Sequence, residues 1–143
     1  MTARRILEDK GAAVITASPD DSVADAARIL NDNRIGAVVV REDGGEPLGV
    51  FSERDLSRVV AEGGAAALDT PVRDAMSRGL VTAGPGADVP ELMNLMTDRR
   101  VRHVLIMEAG RLIGVVSIGD VVKKRIAEAE AEAAAMKAYI ETT

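Results

Sequence analysis

Apolar and polar positions along this chain follow two periods, and the periods succeed one another in the same order twice. Val23, Ala26, Ala27 and Leu30 recur at i, i+3, i+4 and i+7, as do Val89, Leu92, Met93 and Met96. That spacing gathers an apolar stripe on one side of a helix. Ser22 stands just ahead of the first stripe as a natural N-cap. Two short aliphatic runs joined by a glycine turn come next, over 37–40 and 48–51 in the first half and 104–107 and 112–116 in the second. Such unbroken runs predict strands covered on both faces. A strand over 14–17 or 80–83 enters a Pro-containing turn ahead of each helix, and a further helix begins after Ser52 or Ser117. The expected order is strand, helix, strand, strand, helix, twice over.

Comparing the chain with itself turns this order into a repeat. At a separation of 66 residues, Thr16 matches Thr82, Pro19 matches Pro85, Val23 matches Val89, Arg34 matches Arg100 and Val38 matches Val104. The match then slips to 65, pairing Gly49 with Gly114, Val50 with Val115, Ser52 with Ser117 and Asp55 with Asp120. The slip falls in the loop between the paired strands, where one residue more or less is tolerated. Two copies of one unit follow. Gly63, Gly64 and Pro71 are breakers that mark the link. The expected organisation is an N-terminal helix or arm over 1–13, one unit over 14–69, another over 70–124 and a helical extension over 125–143.

That extension lengthens the last helix beyond what the repeat needs, to about 30 Å if it runs over 121–141. Val122, Ile126, Ala129, Ala133, Met136 and Ile140 are spaced 4, 3, 4, 3, 4, a short heptad-like seam. A seam of this kind packs either across a homodimer or back on its own module, beside Ile6 and Leu7.

Composition removes several functions. The chain has 143 residues and no cysteine, which excludes disulfides, thiolate catalysis and Cys-based metal sites. One histidine, His103, excludes poly-His metal sites. Phe51 and Tyr139 are the only aromatic residues, too few for a single-strand stacking platform. Lys and Arg number 18 against 23 Asp and Glu, a net charge of −5 that argues against nucleic acid and anionic membrane surfaces. No apolar run approaches the ~20 residues of a membrane span, and the N-terminal residues lack the apolar segment of a secretory signal. A soluble, cytoplasmic protein is expected. No Walker glycine loop, Ser/His/Asp set or metal cluster is present in the sequence, so an enzyme is not expected.

The candidate chemistry lies where strand hands over to helix. Ser52-x-x-Asp55 and Ser117-x-x-Asp120 both stand at such a junction. A helix N-terminus offers unsatisfied N–H groups to a phosphate, and an ionised Asp accepts from the paired hydroxyls of a ribose. The same spacing also makes a capping box, in which Ser and Asp satisfy the helix end and nothing else. The two copies differ in charge nearby. Arg99, Arg100, Arg102 and His103 precede the strand of the second copy, whereas Gly36 and Ala37 leave the first smooth and open. Arg99 and Arg100 complement the end of a helix. Arg102 and His103 open a strand expected to be buried, where an unpaired charge is costly. Arg54 either supplies the missing charge of the first copy or is a solvated first-turn residue.

The stretches Gly49-Val50-Phe51-Ser52-Glu53-Arg54-Asp55-Leu56 and Gly114-Val115-Val116-Ser117-Ile118-Gly119-Asp120-Val121, each preceded by a strand opening near Arg34 or Arg100, resemble the cystathionine-beta-synthase (CBS) motif. Two in tandem resemble the Bateman module of stand-alone two-CBS proteins. The resemblance implies an α/β (α+β) fold of two β-α-β-β-α motifs packed with pseudo-twofold symmetry, plus the long C-terminal helix. It implies a non-enzymatic regulatory module that dimerises and binds AMP, or alternatively ATP, NAD or S-adenosylmethionine, in clefts between the motifs, for the benefit of an unidentified regulated protein. On it, Asp120 and Asp55 hold ribose, Ser52, Ser117 and Gly119 line the helix ends, Arg102 and His103 hold phosphate, and Thr16 and Thr82 line the clefts. The alternative is a structural dimerisation module with empty clefts.

Overall fold

The computed structural model of the chain describes residues 1–11 and 13–142. It divides into two compact units, one of them Ala13–Leu80 and the other joining the N-terminal segment to everything from Val81 onward. The first unit holds β1 (Thr16–Ala17), α2 (Val23–Asn33), β2 (Ala37–Val40), β3 (Gly49–Ser52) and α3 (Glu53–Gly63), after which 3-10 turns cover Gly64–Asp69 and Val72–Asp74. The second unit holds α1 (Ala3–Lys10), β4 (Thr82–Ala83), α4 (Val89–Arg99), β5 (His103–Glu108), β6 (Arg111–Ser117) and α5 (Ile118–Thr142).

Each unit builds the same sheet. β1 runs parallel to β2, and β2 antiparallel to β3; β4, β5 and β6 repeat the arrangement. All of β2 is buried, as its unbroken Ala-Val-Val-Val run requires. The helices begin at polar caps: Ser22 Oγ accepts from the Asp25 N–H at 3.0 Å, and Asp88 accepts from the Glu91 N–H at 2.9 Å. α2 and α4 end on Arg34 and Arg100, both left-handed with φ of 54° and 52°. The first strands are shorter than the aliphatic runs suggest, two residues each instead of four. Ile15 and Val81 are drawn inward by burial just ahead of the paired residues, and Val81 contributes only its carbonyl, which accepts the Leu105 N–H at 2.9 Å; an apolar run reports burial more than strand pairing.

The repeat extends further than the match over 14–124. In the first unit Val72 N–H donates to Asp21 O, Arg73 N–H to Pro19 O, and Val23 N–H to Thr70 O, at 2.7, 3.2 and 2.9 Å. In the second, Ala3 N–H donates to Ala87 O, Arg4 N–H to Pro85 O, and Val89 N–H to Met1 O, at 2.8, 3.0 and 3.2 Å. Ala3 and Arg4 therefore stand to the second unit as Val72 and Arg73, 69 residues later, stand to the first. Each unit is completed by the segment that precedes the other copy in sequence. Val72, Ala75 and Met76 fill one core and Ala3, Ile6 and Leu7 the other, all buried.

The equivalent glycines show why this closure is tight. A Cβ on Gly49 would lie 2.6 Å from Met76 Sδ and 2.7 Å from the Ser77 carbonyl oxygen. A Cβ on Gly114 would lie 2.5 Å from Leu7 Cδ2. In both units the bare backbone of the third strand is the surface on which the closing segment rests.

Candidate functional site

The two strand-to-helix junctions share one geometry. Ala37 pairs with Ser52 and His103 with Ser117 across their sheets, so each serine ends a strand beside the opening of its neighbour. Ser52 Oγ accepts from the Asp55 N–H at 3.2 Å, and Asp55 Oδ2 accepts from the Ser52 N–H at 2.9 Å. Ser117 and Asp120 repeat the exchange at 3.1 and 2.9 Å. Both motifs are capping boxes, which satisfy the orphan donors of α3 and α5 from within.

The aspartates differ in what else reaches them. Asp55 is 7% exposed. Its Oδ2 also accepts from Ser52 Oγ at 3.0 Å, and its Oδ1 accepts from Ser77 Oγ at 2.9 Å and from Arg58 Nη2 at 3.3 Å. Arg58 is anchored in turn on the Ala75 carbonyl at 2.9 Å. Both oxygens of Asp55 are thus spent inside the unit. Asp120 lies at the rim, its side chain 23% exposed. Its Oδ2 takes the Ser117 N–H and the Lys10 ammonium, the latter at 2.8 Å, while Oδ1 accepts no hydrogen bond among the described residues. Burial works against its charge, but the hydrogen bonds from Lys10 and from Ser117 outweigh it and hold the carboxyl below the usual aspartate range.

Lys10 is the residue sequence reading missed. It ends α1 and bridges Asp120 Oδ2 to the Val115 carbonyl, at 2.8 and 2.9 Å. Asp9 beside it pairs with Lys124 of α5, and that contact lowers its carboxyl's pKa. The readable signal was the faint match of Ala3, Arg4 and Leu7 with Val72, Arg73 and Met76, which implies that α1 closes the second unit.

The remaining expected residues scatter in exposure. His103 is half-buried, and Ser117 and Asp120 lie beside it at the same end of the sheet. Arg102 does not open the strand: β5 begins at His103, and Arg102 is exposed, using its carbonyl to accept the Ile118 N–H at 2.8 Å. The desolvation argument made for Arg102 therefore fails, because a charge already in water has no burial cost to offset. Thr82 is exposed and faces Leu105 in the ladder, two residues along β5 from His103. Thr16 is half-buried opposite Val39, and Gly36 is half-buried with its carbonyl taking the Glu53 N–H at 3.0 Å. Ala37 is buried within its own unit, and Arg54 and Gly119 are exposed on the first turns of α3 and α5. A shallow depression of about 280 Å³ lies elsewhere, lined by Arg4, Leu7, Glu8 and Ile113, and holds none of these residues. No helix among the described residues is long and apolar enough to cross a membrane.

Comparison with known proteins gives the family. The profile described as CBS domain matches residues 11–62 and 72–127. A mitochondrial CBS domain-containing protein of Arabidopsis thaliana is 36% identical over 126 residues, which span 85% of this chain and 61% of that protein's length. The crystal structure of a CBS-domain containing protein of Agrobacterium tumefaciens superimposes with a TM-score of 0.83 at 45% identity, covering 87% of this chain and 92% of that one. A CBS domain protein of Pyrobaculum aerophilum, solved in complex with AMP, gives a TM-score of 0.74 at 27% identity, with 84% and 89% covered.

Proposed function

Because the chain belongs to the CBS domain family, with two CBS domains in tandem, we propose that it is a non-enzymatic regulatory module that binds an adenosine-containing ligand, AMP foremost. It acts as a homodimer and passes the ligand's concentration to a second protein. Asp120 of the second copy takes the ribose, and Arg102 and His103 take the phosphate. The observation that carries this reading is the contrast between the aspartates. A ribose diol donates hydrogen bonds, so it needs a carboxylate oxygen with capacity to spare. Asp120 Oδ1 has that capacity at the rim of its unit, whereas Asp55 has both oxygens saturated and buried. The N-terminus of α5, where Asp120 sits, adds the positive end of a helix dipole. The AMP complex of the Pyrobaculum relative supports an adenosine ligand. Signalling further requires that the ligand favour one arrangement of the protein, since equal affinity for two shifts neither.

Titration calorimetry of the full chain with AMP, ADP, ATP, NAD, NADP and S-adenosylmethionine tests the reading. AMP binds, and Asp120→Ala weakens it at least tenfold, a change of about 1.4 kcal/mol, with an unaltered far-UV spectrum. Equal affinity in Asp120→Ala and the parent removes the ribose assignment. Silence with the whole panel favours a second reading, a ligand-free dimerisation scaffold. That alternative has its own observation, since both Ser-x-x-Asp motifs are complete as caps without any ligand.

A further inference from the structure

α5 carries an apolar face that its own unit does not use. Its first turns rest on the second unit through Val121, 1% exposed, with Lys124 and Glu128 half-buried on the same side. Val122 and Ile126 are 47% and 54% exposed, and Met136, nearly three turns further on, is 61% exposed. At 3.6 residues per turn, the line through Val122, Ile126, Ala129, Ala133 and Met136 lies about 120° around the helix from the Val121 side. The seam is therefore accessible without disturbing the contacts that hold α5 to its unit. Its middle positions, Ala129 and Ala133, are small enough for a second helix backbone to approach closely.

We infer that this seam is the core of a parallel, in-register two-stranded coiled coil formed with α5 of a second copy of the chain. The charges flanking the seam fix both the occupant and the direction. Ile126 and Ala133 are a positions and Val122, Ala129 and Met136 are d positions, which places Arg125 and Glu132 at g and Lys123, Glu130 and Lys137 at e. In a parallel pair each g residue meets the e residue five positions on in the partner. Arg125 then meets the partner's Glu130, and Glu132 meets the partner's Lys137, both attractive and both doubled by symmetry. In an antiparallel pair of full overlap, e meets e and g meets g. Lys123 then faces the partner's Lys137, Glu130 faces the partner's Glu130, and Glu132 faces the partner's Glu132, all repulsive. Sliding the antiparallel pair one heptad toward the N-terminus restores attraction but puts Met136 opposite the partner's Gly119, and sliding it the other way carries Val122 and Ile126 past the end of the partner's α5, so either slide wastes large apolar residues of the seam. The pairs that Arg125 and Lys137 make within α5, with Glu128 and Glu141, are loose and exposed at 3.8 and 3.9 Å, so they yield readily to pairing across helices.

The absence of cysteine from the chain makes the test clean. Met136→Cys in the full chain forms a disulfide-linked dimer under mild oxidation, because position 136 meets itself only in the parallel register. Ala131→Cys, on the opposite side of the helix, does not. In sedimentation equilibrium Arg125→Glu raises the dimer dissociation constant about tenfold, and adding Glu130→Arg restores it. Cross-linking only in a mixture of Ile126→Cys and Met136→Cys chains overturns the parallel direction. Equal cross-linking at 131 and 136, or a dimer indifferent to Arg125→Glu, overturns the coil altogether.

Discussion

The Lys10 ammonium lies 2.8 Å from Asp120 Oδ2, although the two residues are 110 positions apart in the chain. Lys10 ends α1, whose apolar side is buried in the second unit, and Asp120 begins α5, the helix that leads out of that unit. One ion pair therefore ties the N-terminal segment to the junction proposed to hold ribose.

The pair stabilises the fold in a pH-dependent way. Asp120 has a folded pKa below its ordinary value of 3.8. A depressed acid contributes stability above the unfolded pKa and loses it as pH falls through the folded one. Lys10→Met keeps the methylene stem and removes the charge. The pair is partly exposed, 40% at Lys10 and 23% at Asp120, so the variant loses about 1 kcal/mol or less at neutral pH. Urea denaturation followed at pH 7 and at about pH 3 should show the gap between parent and variant closing in acid. A gap that stays constant would assign the loss to the Val115 hydrogen bond instead.

Asp55 behaves as a structural residue. Truncation to alanine keeps the Ser52 cap of α3 but removes the carboxylate that accepts the Ser52 N–H, and it leaves Ser77 Oγ and the exposed Arg58 guanidinium without that acceptor. Losing the reciprocal half of the capping box costs about 1 kcal/mol, and because Ser77 and Arg58 are exposed and can turn to water, their lost hydrogen bonds add about 1 kcal/mol or less. Asp55→Ala is expected to lower stability by about 1–2 kcal/mol in denaturant titration while AMP affinity changes less than in Asp120→Ala. A variant as stable as the parent would contradict the buried network.

Gly49 and Gly114 occupy equivalent places but differ in what an added methyl meets. At Gly49 the obstacle includes the Ser77 carbonyl oxygen, and at Gly114 it is the far end of the Leu7 side chain. Side-chain tips move more cheaply than backbone, so Gly49→Ala is expected to be the more destabilising of the two, with overpacking losses of about 1–3 kcal/mol. Adding Leu7→Ala to Gly114→Ala should then cost less than the sum of the two changes, which a double-mutant cycle by thermal denaturation reads directly.

Arg34 and Arg100 both hold the left-handed conformation that ends a helix. A side chain there is strained by about 1 kcal/mol relative to glycine. Arg34→Gly and Arg100→Gly are each expected to raise the unfolding free energy by about 0.5–1 kcal/mol. Destabilisation by either would mean that the arginine side chain contributes more than its backbone costs.

The duplicated strand-helix-strand-strand-helix order was readable without coordinates, because burial of one helix stripe and of both faces of a central strand leaves periods of 3.6 and of unbroken apolar residues in the chain. Ser22 as a cap, α3 beginning after Ser52, α5 beginning after Ser117 and the long extension of α5 were legible for the same local reason: capping and periodicity involve residues three or four apart. What tertiary structure alone decided is which distant groups meet. Nothing near Asp120 in sequence announces Lys10, and nothing near Asp55 announces Ser77, yet those contacts make one carboxylate available and the other spent. The exchange of closing segments, with α1 serving the second unit and the stretch around Val72 serving the first, likewise depends on where the chain returns after crossing a whole unit. Local pattern encodes elements because their energetics are local; the fate of an ionisable side chain is set by whichever neighbour the fold delivers.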